Sequence, residues 1–105
     1  MIEEYQIHFS ESFMLSVEEN IINWQDLGLR EAQINDFIKT INIAIKSLKL
    51  YPSRFADVSS VYDFKIPTRR ILIGKKYSIF YRIDYQHKFV EIGRMFNQKQ
   101  MKLKF

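Results

Sequence analysis

The feature that most constrains the fold of this chain is an apolar repeat between Leu29 and Leu50. Large apolar side chains recur there at the three- and four-residue spacing of one helix face: Ile34, Phe37, Ile38, Ile41, Ile45 and Leu48. A repeat of this period, sustained over the whole segment, predicts an amphipathic helix that must bury one side. Pro52 follows shortly afterwards and ends the helix, because proline cannot donate a backbone hydrogen bond.

A second helix is predicted immediately before this one, from Glu11 to about Trp24. Apolar residues recur at every fourth position of that segment: Phe13, Val17 and Ile21. Ser10 belongs to the residue types that cap helix N-termini, and Gly28 interrupts the repeat. The connection left between the helices is short, which favours an antiparallel hairpin whose two apolar stripes face a common surface.

The remaining segments alternate apolar and polar residues, as half-buried strands do. The segment "EYQIHFS" precedes the first helix, and "SRFADVSS" after the second helix predicts a loop. Beyond that loop we expect strands in "VYDFKI", "RRILI", "YSIFYRID" and "KFVEIGRMF", the first restricted to an edge or an end by Pro67. This order of elements, a strand, two helices and then three or four strands, predicts an α+β fold in which an antiparallel sheet carries the helical hairpin on one face.

No repeat, low-complexity tract or linker divides the sequence, so residues 1–105 are expected to form one domain. The chain has no cysteine, which excludes disulfides and suits a reducing cytoplasm. No apolar run approaches the roughly 20 residues that cross a bilayer. The acidic start "MIEEYQIHF" does not resemble a signal peptide. We therefore expect a cytoplasmic protein without a membrane partner.

Sixteen Lys and Arg against 12 Asp and Glu give a net charge of +4, which favours contact with polyanions or with an acidic protein partner. The chain has two histidines, His8 and His87, which lie far apart, and no Cys/His cluster accompanies either of them. We therefore expect no zinc or other metal site and no cofactor.

The strand "YSIFYRID" is predicted to have two different faces, because successive side chains point to opposite sides of a sheet. One face is continuously apolar and should receive the helices: Tyr77, Ile79, Tyr81 and Ile83. The other is mixed and is expected to be open to solvent: Ser78, Phe80, Arg82 and Asp84.

On this second face, Arg82 is expected beside Arg69 or Arg70, depending on strand register, and beside Arg94 of the last strand. Arginines over aromatic rings can bind phosphates, stack bases or dock an acidic peptide. The alternative interpretation is that the arginines pair with carboxylates as ordinary cross-strand partners: Asp63, Asp84 and Glu91.

Together with this order of elements, three segments resemble the RelE/ParE superfamily of bacterial type II toxins: "LYPSRF", "RRILIGKKYSIFYRID" and "VEIGRMFNQKQ". The resemblance covers nearly the whole chain. It matches a Tyr-Pro-x-Arg-Phe-like segment, an arginine at the start of the next strand and a Tyr-x-Ile-x-Tyr strand. It implies the RelE/ParE-like fold and a growth-inhibiting toxin of a toxin–antitoxin system, neutralised by a cognate antitoxin, with plasmid stabilization as a typical role.

Within the superfamily, RelE-like members cut messenger RNA on the ribosome, whereas ParE-like members poison DNA gyrase. Metal-independent cleavage of RNA needs a general base, cations for the phosphate and a general acid. The resemblance implies an arginine where this chain has Ser78, and a tyrosine or histidine near the carboxyl terminus, where it has Asn97 and the tail "QKQMKLKF". The missing groups favour the ParE-like branch, without intrinsic catalysis.

Two alternatives remain at this stage: a metal-independent endoribonuclease acting on mRNA (an mRNA interferase), and a non-toxic RNA-binding module of the same fold. The candidate residues for binding a target or a phosphate are cationic: Arg69, Arg70, Arg82, Arg94 and Lys99. If the chain is an enzyme, the candidates for a catalytic role are Arg70, Arg82 and Lys99.

Overall fold

The computed structural model describes residues 3–97 and residue 105. The elements, in chain order, are β1 (Gln6–Phe9), α1 (Glu11–Asp26), α2 (Glu31–Lys46), a 3-10 helix (Ser47–Lys49), β2 (Arg69–Ile73), β3 (Tyr77–Asp84) and β4 (Phe89–Asn97). The predicted α+β order of strand, helical hairpin and C-terminal strands is confirmed.

The helical hairpin begins and turns at residues that the sequence singles out. The Oγ of Ser10 accepts a hydrogen bond from the backbone N–H of Phe13 at 3.0 Å, which caps α1. Gly28 adopts a φ of +83°, a left-handed conformation that glycine reaches without steric cost, and it reverses the chain between the helices.

The four strands form one sheet in the order β1-β4-β3-β2. Strand β3 pairs antiparallel with both of its neighbours, whereas β1 pairs parallel with β4. A parallel pair needs a long connection, and here it contains both helices together with β2 and β3. The first and last strands are therefore neighbours in the sheet, a pairing that the sequence analysis did not anticipate.

The main core lies between the sheet and the helices. Its buried members come from α1, α2, the 3-10 helix and the three C-terminal strands: Phe13, Trp24, Ile34, Ile41, Ile45, Leu48, Ile71, Ile73, Ile79, Tyr81, Val90, Ile92 and Met95. The indole N–H of Trp24 donates to the hydroxyl of Tyr77 at 2.7 Å, so this large ring is buried without leaving its donor unpaired. The helix-facing side predicted for β3 is confirmed.

The expected strand in "VYDFKI" is wrong. Residues 59–63 form turns and residues 65–66 a bend instead, and Asp63 adopts a φ of 57°, which interrupts the extended backbone that the alternating pattern requires. The segment folds across the sheet, and Tyr62 and Phe64 pack against Phe80.

The second face is therefore not open at its centre, contrary to the expectation. A smaller core of Val58, Phe80 and Phe96 lies there, with Tyr62, Phe64 and Phe105 packed around it. Phe80 and Ser78 are both 0% exposed. Aromatic residues of the loop bury the apolar part of this face, which alternation within β3 alone did not reveal.

Strand β4 carries a β-bulge opposite the middle of β3. Ile79 pairs with Met95 and Tyr81 pairs with Ile92, so two residues of β4, Gly93 and Arg94, stand opposite the single intervening residue of β3. A bulge of this kind changes the direction of the side chains that follow it. It brings Arg94 next to α1 rather than next to Arg82.

Candidate functional site

The surface of the sheet turned away from the helices is the candidate site. We call it the arginine–aromatic face and define it by Tyr62, Phe64, Arg70, Phe80, Arg82 and Phe105. Arg70 stands directly opposite Phe80, and opposed residues of antiparallel strands share a face. Of the two arginines that the sequence offered, Arg70 is therefore the one that joins Arg82.

Arg82 is held on this face by contacts within the chain. Its Nε donates to the Oγ1 of Thr68 at 3.0 Å. Its guanidinium carbon lies 3.9 Å from the ring centroid of Phe105 and 5.7 Å from that of Phe64. Burial lowers the pKa of Arg82 from its usual value, and the carboxylate of Glu91 opposes that effect. Arg82 stays protonated at neutral pH because a guanidinium titrates so far above it.

Arg70 contacts the loop that crosses the sheet. Its Nη1 donates a hydrogen bond to the hydroxyl of Tyr62, and its guanidinium carbon lies 5.6 Å from the centroid of the same ring. The contact ties β2 to the turn that contains Tyr62. The remaining N–H groups of Arg70 keep the planar donor geometry that suits carboxylates and phosphates.

The alternative interpretation, in which these arginines pair with carboxylates as cross-strand partners, applies in part to Arg82. Glu91 stands directly opposite it in the β3–β4 pairing and acts on it electrostatically, without a close ion pair. Within residues 3–97 and 105, neither Arg70 nor Arg82 forms an ion pair. Asp84 is engaged by His87 at 3.0 Å, and the hydrogen bonds from His87 lower the pKa of that carboxyl. The arginine–aromatic face therefore carries two guanidinium groups that aromatic rings contact and that carboxylates do not neutralise directly.

Arg69 lies on the helix side of the sheet, opposite Tyr81. Its Nη1 donates to the carbonyl oxygens of Ser53 at 3.2 Å and of Phe55 at 2.6 Å. The role of Arg69 visible here is to fix the loop after the 3-10 helix.

Tyr81 of β3 also holds this loop in place. Its hydroxyl donates to the carbonyl oxygen of Pro52 at 2.7 Å and accepts from the backbone N–H of Phe55 at 3.4 Å. Burial raises the pKa of Tyr81 to about 12. The segment "LYPSRF" is thus held in place by two side chains from adjacent strands, Arg69 of β2 and Tyr81 of β3.

Arg94 belongs to a different surface. Its guanidinium forms an ion pair with Glu19 of α1 at 3.2 Å. The pair lines a polar cleft of about 570 Å³ with Asn20, Asn23 and residues 95–97. Lys99, the remaining candidate, lies outside the described residues.

Ser78, which stands where the RelE-like nucleases are expected to have an arginine, is 0% exposed. Among the described residues, its Oγ has no hydrogen-bond partner. The two histidines are engaged elsewhere: His87 with Asp84 in the β3–β4 turn, and His8 stacked on Phe89 at 4.4 Å between ring centroids. Within the described part of the chain, neither histidine therefore lies beside Arg70 or Arg82, and the titratable hydroxyl in contact with Arg70 is that of Tyr62.

A groove beside β1 is a feature that sequence reasoning missed. Strand β1 is an edge strand, and the groove between it and the second helix has a volume of about 610 Å³. The backbone N–H groups of Gln6 and Ser10 donate towards β4, so those of Ile7 and Phe9 point to the outer edge by alternation. Lys46 and Lys49 line the same groove.

The groove continues into an apolar pocket between the helices. That pocket has a volume of about 260 Å³ and is lined by Phe9, Phe13, Met14, Val17, Ile38, Ile41 and Asn42. Phe9 and Asn42 line both cavities, so the two are contiguous. Phe9 is 49% exposed and Met14 is 53% exposed, although both are large apolar residues. Exposed apolar surface next to an unpaired strand edge is typical of a protein-binding site.

Among the residues that the structure describes, no cluster of His, Cys, Asp or Glu has the geometry of a metal site. In the same residues, no helix has the length and hydropathy needed to cross a membrane.

The fold is shared with solved structures. A chain of the toxin–antitoxin complex RelBE2 from Mycobacterium tuberculosis superposes with a TM-score of 0.56 at 17% identity, over 93% of this chain and 95% of that one. A chain of the archaeal RelE–RelB complex from Pyrococcus horikoshii superposes with a TM-score of 0.53 at 13% identity, over 93% of this chain and 99% of that one. The predicted RelE/ParE-like fold is confirmed. No protein-family model matches the chain, and no curated protein matches it significantly.

Proposed function

We propose that this chain, which has the fold found in two RelE–RelB-type complexes, is the toxin of a type II toxin–antitoxin module. The observation that carries the proposal is the near-complete coverage of both chains in each superposition. Residues 1–105 would then constitute one toxin domain, acting in the cytoplasm and neutralised by a cognate antitoxin. A fold alone does not fix an activity, so the site residues must carry the rest of the argument.

The antitoxin is proposed to bind along β1. An extended segment can pair with the outward-pointing backbone groups of Ile7 and Phe9, which is strand addition to a sheet edge. Carboxylates on that segment would meet Lys46 and Lys49, and an apolar side chain would enter the adjoining pocket beside Met14. The complementary partner is therefore an acidic segment with at least one large apolar anchor.

The toxin is proposed to act by binding a large target such as DNA gyrase, as ParE-like proteins do, without intrinsic catalysis. Support comes from the arginine–aromatic face. Ser78 is buried there in place of the expected arginine, and neither His8 nor His87 is near enough to contact Arg82 in the described part of the chain. Two guanidinium groups among aromatic rings suit recognition of an anionic surface.

The second candidate is ribosome-dependent cleavage of mRNA. Both superposed complexes carry the RelE name, and Arg70 and Arg82 share one face as phosphate-binding cations would. In this case Arg82 would stabilise the charge that develops on the phosphate. An inert RNA-binding module of the same fold is the remaining possibility.

Induction in a bacterium, with and without the neighbouring reading frame, tests the toxin proposal. Growth arrest that the neighbouring frame relieves supports it, and unaffected growth in both strains removes it. Primer extension on cellular transcripts then separates the two activities. Gyrase-linked DNA breaks with intact transcripts favour the ParE-like mode, whereas cleavage inside codons favours the nuclease.

A further inference from the structure

Phe105 occupies a defined slot in the arginine–aromatic face. Its ring centroid lies 3.9 Å from the guanidinium carbon of Arg82, and the ring packs against the small core of Val58, Phe80 and Phe96. It also lies against the backbone of Gly93. A β-carbon added at Gly93 would come within 2.7 Å of the ring.

The slot exists because two features coincide. The β-bulge places Gly93 opposite the middle of β3, and residue 93 has no side chain to fill the space above the sheet. A ring can therefore lie flat enough to contact both the guanidinium and the strand backbone. Any larger residue at position 93 would exclude it, since its β-carbon would overlap the ring at a distance that real β-carbons do not reach.

The ring changes what Arg82 can do. One of its N–H groups is already donated to Thr68, and Phe105 contacts the guanidinium from its own side. Neither contact involves a carboxylate, and the nearest acid in the strand register, Glu91, acts on Arg82 without a close ion pair, so the guanidinium is covered by the ring rather than paired with an acid. A cation–π contact of this kind is weak enough to open and close readily.

We propose that the slot formed by Arg82 and Gly93 is a ring-binding site whose present occupant, Phe105, is removable. Arg82 is only partly exposed with the ring in place, and its guanidinium becomes more accessible to an anionic ligand such as a phosphate group when the ring leaves. One of the two cations of the arginine–aromatic face is thereby covered until the ring moves away. Arg70, whose contacts involve Tyr62 and not Phe105, is not controlled in this way.

Two substitutions of opposite volume test the proposal. Phe105→Ala removes the ring, and Gly93→Ala keeps the ring but fills the slot. The accessibility of each arginine is measured as its rate of modification by butane-2,3-dione, read residue by residue by mass spectrometry of proteolytic peptides. Both variants should raise the modification rate of Arg82 by roughly 2- to 30-fold, which is the fold-change equivalent to the free energy of a cation–π contact.

Arg70 is the internal reference, and its rate should not change in either variant. The double variant should have the same Arg82 modification rate as Phe105→Ala, because without the Phe105 ring the alanine at position 93 has nothing to displace. Trp24 fluorescence and far-UV circular dichroism verify folding, and Gly93→Ala decides the matter if Phe105→Ala does not fold. An unchanged Arg82 rate in a folded variant overturns the proposal, as does an equal rise at Arg70 and Arg82, which would indicate general loosening.

Discussion

At the scale of single residues, the pair Arg69–Arg70 shows how adjacent cations acquire different roles. Strand alternation sends Arg69 to the helix side, where it binds loop carbonyls, and Arg70 to the opposite side, where it contacts Tyr62. The sequence offered both as binding residues because strand register cannot be deduced from one strand alone. The pairing of Arg70 with Phe80 decides between them.

Alanine substitutions on the two faces of the sheet should separate function from stability. We expect Arg70→Ala to lower toxicity while reducing the free energy of unfolding by only about 1 kcal/mol, because its contacts are partly solvated. Arg82→Ala should cost about 1 to 3 kcal/mol, since a hydrogen bond from a charged donor to Thr68 is also lost. Ile79→Ala should cost about 2 to 5 kcal/mol, because Ile79 is 0% exposed.

Urea denaturation and growth after induction measure these effects. Lys75→Ala, in the exposed β2–β3 turn, is the matched control and should change neither quantity. Toxicity that survives Arg70→Ala at full strength would remove this residue from the target-binding surface.

Tyr81 should make stability depend on alkaline pH. Its pKa is raised from 10.0 to about 12 in the folded protein, so between those values the unfolded chain loses the phenolic proton while the folded protein keeps it. The folded state then binds more protons, and stability falls as pH rises. Urea denaturation from pH 8 to 11 should show a decline starting near pH 10 that is smaller in Tyr81→Phe. Equal declines in both proteins would contradict the assignment.

At the scale of elements, the helices and the three C-terminal strands could be predicted from periodicity, because each has one buried face. The segment "VYDFKI" could not, since its aromatic residues Tyr62 and Phe64 are half-buried by turns that fold over Phe80 rather than by strand pairing. Alternation reports that every second residue is buried, but not which backbone conformation buries it. The β1 groove could not be predicted for a related reason: which strand lies at an edge depends on the order of the strands in the sheet, and the sequence does not give that order.

The β1 groove gives a prediction at this scale. Lys46→Glu with Lys49→Glu should weaken the antitoxin complex, because two favourable contacts to an acidic segment become repulsive. Calorimetry with the product of the neighbouring reading frame measures the change, which should shrink as salt is added.

A charge-matched control is available on the opposite edge of the molecule. Lys75→Glu with Lys76→Glu changes the net charge equally in the exposed turn between β2 and β3. Equal weakening by the two double variants would show that overall charge, and not the groove, determines affinity.

At the scale of the whole molecule, one sheet separates two cores of unequal size. The larger contains Trp24, the sole tryptophan, and the smaller is centred on Phe80. Both cores use side chains of β3, so loss of packing on one side should weaken the other. The arrangement explains why the sheet can carry arginines on its second face without exposing the apolar residues between them.

Phe80→Leu tests this coupling. The substitution should lower the free energy of unfolding by roughly 0.5 to 3 kcal/mol. Although Trp24 lies on the other side of the sheet, its fluorescence and the far-UV circular dichroism should shift to the same lower urea midpoint, as in a two-state transition. A fluorescence midpoint that stays in place while the circular dichroism midpoint falls would mean that the cores unfold independently.

The parallel pairing of β1 with β4 also bears on how the chain reaches this state. The partner of the first strand lies beyond both helices and two further strands in the sequence. Pairing β1 with β4 therefore closes a long loop, and because that closure costs conformational entropy, the pairing forms late in folding. On the ribosome, Gln6–Phe9 must wait until Phe89–Asn97 has been translated. During synthesis, the nascent polypeptide therefore cannot present the finished edge.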